Sequence, residues 1–256
     1  MQKHSGLAEF FRGLRSYTRV PGTLSKHKLW LYQLLPAFVS LVISSIMVAG
    51  IFYISRGLAQ WIDAKIQLPI EWLDATVTWA AGILVFVAMV FAFIFAHKHI
   101  VIVVLAPFLS RVAEKITRAA VGPQQDTSMT NLGTIRRSAI INGRSIILEL
   151  LLTVGLAVLG IVIPVFSPFT SLVIVLVEAR FAGNGLMDFP LEYRGLSVNQ
   201  SIEWSRQHKA TASGVGAGYL LLMLIPIVGW MFAPTFGTVA GTLRSLDEFE
   251  SSYSRP

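Results

Sequence analysis

Residues 146–183 read IILELLLTVGLAVLGIVIPVFSPFTSLVIVLVEARFAG. Two apolar arms, Ile146–Ile163 and Phe169–Gly183, flank the turn Pro164-Val-Phe-Ser-Pro168. A second pair, Ala212–Leu243, repeats that design: its first arm ends at Ile225, and Pro226, Gly229 and Pro234 follow. The likeness is one of hydropathy, not of residues. Arms of about 10–18 residues would be about 15–27 Å long as helices, mostly short of a hydrocarbon core of about 30 Å. Hairpins that enter a bilayer and return fit this pattern, and so do four short full spans. Irregular backbone at membrane depth is tolerated only where it is buried in protein or lines a water-filled path. Paired interrupted segments at matching positions point to a transport site. A pore or binding site is therefore the first functional expectation.

Outward from the hairpins, two longer apolar runs, Leu29–Ser55 and Thr76–Phe108, are long enough to span a bilayer. The first would be about 40 Å long as a helix, so it tilts or protrudes, and Pro36 is placed to kink it. Ala106-Pro107-Phe108 is expected to interrupt the second. Residues 5–20 predict an amphipathic helix. Leu7, Phe10, Phe11, Leu14 and Tyr17 share one face, and Arg12, Arg15 and Arg19 the other. Such a helix lies in a membrane interface or packs on the protein's own cytoplasmic side. Pro21-Gly22 is expected to end it. The chain thus reads as a single all-α integral membrane domain over 1–256: an interfacial helix at 5–20, long spans at 29–55 and 76–108, and hairpins at 146–183 and 212–243.

Composition agrees. Of 256 residues, 54% are hydrophobic and only 14% charged, and the mean hydropathy is +0.64. Soluble domains carry about a quarter charged residues. The absence of cysteine excludes disulfides and thiolate metal sites. The first apolar run is too long for a signal core and is expected to remain as a span. The net charge of +7 fits basic cytoplasmic loops facing anionic lipid. Six Lys or Arg precede Leu29, two lie between the long spans, and seven lie in Lys98–Arg144. The positive-inside rule then makes both termini and 98–144 cytoplasmic. The external loop would carry Trp61 and Trp72 as interface anchors, with Arg56 and Lys65 against Asp63, Glu71 and Asp74.

Three groups of residues are candidates for chemistry. The linker Gly22, Thr23, Leu24, Ser25, Lys26 and Lys28 opens the first span. Free helix-start N–H groups, a Ser25 cap and two ammonium charges suit a tetrahedral oxyanion. A positive-inside anchor on lipid phosphate uses the same groups. Glu149, Glu178 and Arg180 lie in or near apolar runs, where ionisable groups are costly and must pair or face water. Glu178 and Arg180 are on different helix faces and need separate partners, with Glu149, Glu114, Arg144 and Arg137 as candidates. Either an ion-pair network or a pore lining results. Finally, Gly214-x-x-x-Gly218 and Gly237-x-x-x-Gly241 suit close helix contact; no strand precedes them, so they are not a dinucleotide fingerprint. His97 and His99 point to different helix faces, which disfavours a metal site. No catalytic constellation is evident, and no cofactor, metal or nucleic acid is expected.

Several of these stretches, in order, resemble the CysZ-type sulfate permeases of bacteria. Pro21-Gly22 before basic residues resembles the family's Pro-Gly-x-Arg-Arg opening. Ala106-Pro107-Phe108 with Glu114 resembles its Ala-Pro-Phe…Glu, Asp188-Phe189-Pro190-Leu191 its Asp-Tyr-Pro-Phe, and Ile225-Pro226 through Pro234 and Gly237-Thr238 its Ile-Pro…Pro…Gly-Ala-Thr. The resemblance implies an oligomeric inner-membrane protein with partly inserted helix pairs, taking up sulfate through the linker. Here Arg-Arg is absent, and Lys26 and Lys28 stand nearest; a lysine lacks the bidentate fork of Arg. The expected function is a permease or channel for a small oxyanion, with sulfate leading. The alternative is a non-transporting scaffold that binds anionic lipid or partner proteins.

Overall fold

A computed structural model describes residues 5–65, 71–123 and 130–253. In the described residues the chain is helical throughout, with no strand. Helices α1 (Gly6–Arg15), α2 (Val20–Lys26), α3 (Trp30–Lys65), α4 (Glu71–Val121), α5 (Asn131–Val162), α6 (Ser167–Tyr193), α7 (Val198–Gln207), α8 (Lys209–Met223) and α9 (Val228–Tyr253) follow in order. Short 3-10 turns at Ser16–Arg19 and Pro164–Phe166 join α1 to α2 and α5 to α6.

Burial runs inside out. The buried stripe of α3 is Gln33, Ala37, Ser40 and Ser44, while Leu31, Leu34, Phe38 and Ile46 are exposed. In α5 the buried face is Thr134, Arg137, Ser138, Ile141, Asn142, Ser145 and Glu149, and leucines and isoleucines cover the outside. A helix of a soluble protein turns its apolar stripe inward. Here small and polar groups face the protein, and the apolar face needs lipid. Trp30–Leu58, Asn131–Val162 and Pro164–Tyr193 are long and apolar enough to cross a membrane. Both hairpin tips are exposed and apolar, through Val165, Phe166 and Phe169 in one and Leu224, Ile225 and Ile227 in the other.

Some expectations need correction. The arms of the first hairpin are helices of 32 and 27 residues, longer than their apolar runs, because polar sequence on either side continues each helix. Pro107 does not interrupt α4, and Pro36, Pro190 and Pro234 also lie inside helices. Proline removes one ladder bond, but Val101, Leu105 and Leu109 stay anchored in the core on either side. Pro21-Gly22 opens α2 rather than ending a helix, since proline suits a first helical turn. Trp61 is exposed; the expected partners Asp63, Lys65, Glu71, Trp72 and Asp74 lie outside the residues whose side chains are described.

The core sits between the second half of α4, the second half of α6, α8 and α9, around Leu105, Leu109, Leu186, Phe189 and Tyr219. Slim α8 lies between α1 and α6. A Cβ on Gly216 would overlap the Ala179 carbonyl of α6, and one on Gly214 the Phe10 carbonyl of α1. Gly218 packs on the Tyr17 ring, and Gly237 and Gly241 on Leu186 and Met187. Both glycine pairs therefore mark close contacts, as their spacing predicts. The N-terminal helix packs on α8 and still exposes Leu7 and Phe11. Gly216→Val should cost about 3 kcal/mol or prevent folding. Gly155→Ala, which meets open space, should not. Thermal unfolding in detergent compares them, and an unchanged Gly216→Val midpoint would mean that α6 and α8 do not touch there.

Candidate functional site

The triplet His97-Lys98-His99 lies where α4 is surrounded, and its three side chains are buried. Successive helix residues point about 100° apart, so each meets a different neighbour. His97 Nε2 lies 2.7 Å from Ser44 Oγ of α3. Ser44 donates to the Ser40 carbonyl at 2.7 Å, and Ser40 donates to the Trp230 carbonyl of α9. Lys98 Nζ donates to Glu149 of α5 and to Glu178 of α6. His99 Nε2 lies 2.9 Å from the other Glu149 oxygen, and its Nδ1 3.4 Å from Asn142 Oδ1. Lys98 and Glu149 are completely enclosed, with side-chain exposures of 0%.

Bringing three charges into a dry site costs several kcal/mol per ion, offset only by close pairing and further hydrogen bonds. Here the pairing is complete: one ammonium bridges two carboxylates, and His99 holds the remaining Glu149 oxygen. With both carboxylates ionised, Lys98 leaves one negative charge in excess. A proton on His99 or on a carboxyl balances it.

A second buried cluster joins the polar start of α5 to the end of α6. Arg137 donates to both Asp188 oxygens, from Nε at 2.9 Å and Nη2 at 2.7 Å. It also donates to the Leu196 carbonyl and Ser201 Oγ, both at 2.6 Å. Glu192 accepts from Thr134 at 2.9 Å and Ser110 at 3.4 Å. Arg137 is thus the partner of Asp188, not of Glu178.

Of the expected network, the structure brings together Glu149 and Glu178 and supplies Lys98 as their cation. Glu114 is half-buried and Arg144 exposed, and both lie outside the cluster. Arg180 is not joined to it either: its buried Nε has no partner among the described residues. Lys98, one of the seven basic residues of 98–144, is buried inside α4 and does not lie in a loop. The signal for its burial was its place inside an apolar run, with Asn142, Ser145 and Glu149 at helical spacing on another.

The linker takes a different form from the one expected. Gly22, Thr23, Leu24, Ser25 and Lys26 belong to α2. Gly22 lies in the helix with open space around it, Leu24 is buried, and Ser25 accepts from the Trp30 indole at 3.0 Å rather than capping α3. The turn into α3 is a Schellman motif: Leu29 N–H donates to the Leu24 carbonyl at 2.8 Å and Lys28 N–H to the Ser25 carbonyl at 3.2 Å. Leu24 and Leu29 pack beneath it, the usual apolar accompaniment. The left-handed position, normally glycine, is Lys28 with φ of 53°. One turn into α3, Lys115 of α4 stands over the Tyr32 ring, 3.4 Å from its centroid. The start of α3 therefore gathers Lys26, Lys28 and Lys115.

Lys98→Met leaves two carboxylates facing each other and should cost about 3–5 kcal/mol. Adding Glu149→Gln and Glu178→Gln should recover most of that loss. Thermal unfolding of the single and triple variants tests this; a Lys98→Met protein as stable as wild type would mean that the carboxylates are not buried on it.

A family model described as sulfate transporter CysZ/etoposide-induced protein 2.4 matches residues 10–234. The sulfate transporter CysZ of Pseudomonas fluorescens (strain Pf0-1) is 25% identical over 217 residues, covering 82% of this chain and 83% of that relative.

Proposed function

Since the chain belongs to the sulfate transporter CysZ/etoposide-induced protein 2.4 family, a family of membrane transporters, we propose that it is a permease or channel for a small inorganic oxyanion, sulfate first. The observation that carries this reading is the strained cation at the mouth of α3. A non-glycine residue in the left-handed region costs roughly 1–2 kcal/mol; such strain persists where the surrounding packing imposes it, and it clusters at functional sites. At this position Lys28 stands with Lys26 and Lys115 at the start of a 36-residue helix, whose dipole also favours an anion. Gly22, Thr23 and Ser25 of α2 complete the approach, and Leu24 anchors it from below. Sulfate is drawn to this cationic mouth. Lys98, between Glu149 and Glu178, is the inner cation. Because Lys98 and Glu149 are enclosed within one chain, the path opens by movement or lies where copies of the chain meet.

We place the protein in the bacterial inner membrane as a single multi-pass domain, a homo-oligomer with both termini cytoplasmic. Cysteine labelling from outside should then reach position 65 and not position 126 or 252. External labelling at 126 would reverse the assignment.

The close glycine packing of α8 and the enclosed cluster favour a second reading, a non-transporting scaffold that binds anionic lipid. Sulfate uptake into proteoliposomes separates the two: flux above empty vesicles from folded protein supports the permease, and its absence supports the scaffold. Lys28→Gly sharpens the test. It relieves the left-handed strain and should stabilise the fold by roughly 1 kcal/mol, while sulfate affinity falls, most clearly at low salt where screening is weakest. Calorimetric titration with sulfate beside thermal unfolding reads both effects. Unchanged affinity would remove Lys28 from the anion site.

A further inference from the structure

We propose that the groove between α1, α6 and α8 binds one anionic glycerophospholipid, with its phosphate on Arg180 and Lys209 and an acyl chain along Leu176 and Leu172. The proposal does not depend on the transport reading. The groove has a volume of about 340 Å³, and Arg180, Lys209, Leu7, Phe10 and Leu176 are among its lining residues. Its two ends differ in chemistry. At one end stand two cations, neither of them in an ion pair among the described residues. Arg180 Nε is buried without a hydrogen-bond partner, although α6 is a membrane-crossing candidate. An arginine so placed is costly until an anion meets it. The groove supplies the cations and no carboxylate, so the complementary group is a phosphate or another anion.

The other end is apolar. Along α6, Leu172 and Leu176 recur at four-residue spacing below Arg180, and both are exposed. From 180 to 172 the helix advances about 12 Å, running from the cationic end toward the apolar tip at Val165 and Phe166. Leu7 and Phe10 of α1 add apolar lining to the groove. A cationic head above an apolar track matches a lipid lying along the helix, headgroup at the interface and chain toward the bilayer centre. A free oxyanion would need the head alone and leave the track unused. Phosphatidylglycerol, with a phosphodiester and no ammonium, is the simplest lipid of this class.

Native mass spectrometry of the full chain, titrated with phosphatidylglycerol or phosphatidylcholine, tests the site. Wild type should retain phosphatidylglycerol preferentially. Arg180→Gln with Lys209→Gln should weaken that retention by at least about tenfold, the worth of one charge-assisted hydrogen bond. Lys209→Gln alone, an exposed change that leaves folding intact, should weaken it partly. Arg206→Gln on α7, which removes a cation that does not line the groove, should have no effect. Equal retention by wild type and the Lys209→Gln protein overturns the proposal. So does displacement of the lipid by inorganic sulfate with equal stabilisation, since that would make the groove a free-oxyanion site.

Discussion

Lys98 between Glu149 and Glu178 is the interaction on which the arrangement of the membrane-facing helices depends. Each partner comes from a different helix, so one ammonium fixes α4 against both arms of the first hairpin. Between apolar helices in lipid, burial of apolar surface supplies no driving force, because lipid tails are as apolar as leucine. Polar contacts and close backbone packing must supply it instead. The His97–Ser44–Ser40–Trp230 chain ties α4 to α3 and α9 in the same way, and the glycines of α8 provide the close packing.

The rest of the chain follows a second regime. Past Lys98, α4 enters a core of leucine, valine and phenylalanine that resembles the interior of a soluble domain. There Arg137 and Asp188 form a bidentate pair within a ring of hydroxyl and carbonyl partners. One molecule thus joins a half held by polar contacts and sheathed in apolar side chains to a half held by apolar packing. The helices that cross from one to the other are long because they serve both, and that is why the arms of the first hairpin outrun their apolar segments.

Charge separates into three roles. Lys98 and Arg137 are enclosed and paired, and they hold helices together. Lys28 is exposed in a strained conformation that glycine would adopt without strain, and its charge is what distinguishes it from glycine. Arg180 is half-buried and lacks a protein partner among the described residues. The latter two are the cations on which the proposed anion sites rest, and they face different neighbours: Lys28 the mouth of α3, Arg180 the groove beside α1.

An all-α membrane protein with two long apolar helices, two hairpins and an amphipathic start is legible in the residues alone. Those features depend on runs of apolar residues, on proline and glycine at the turns, and on helical spacing, all of which are local. The close contacts of Gly214, Gly218, Gly237 and Gly241 were legible for the same reason, since only small residues at that spacing let backbones meet. Tertiary structure alone decided which charges pair. Arg180, the nearest cation to Glu178 in sequence, lies on another face of the helix, and the partner of Glu178, Lys98, lies 80 positions away in sequence. Whether a proline ends a helix or is carried through it was likewise undecidable locally, because packing on either side of Pro107 holds α4 together against the lost bond. The conformation of Lys28 belongs with these. A lysine carries no sign of the left-handed region, and it is Leu24 and Leu29, packed beneath the turn, that force it there.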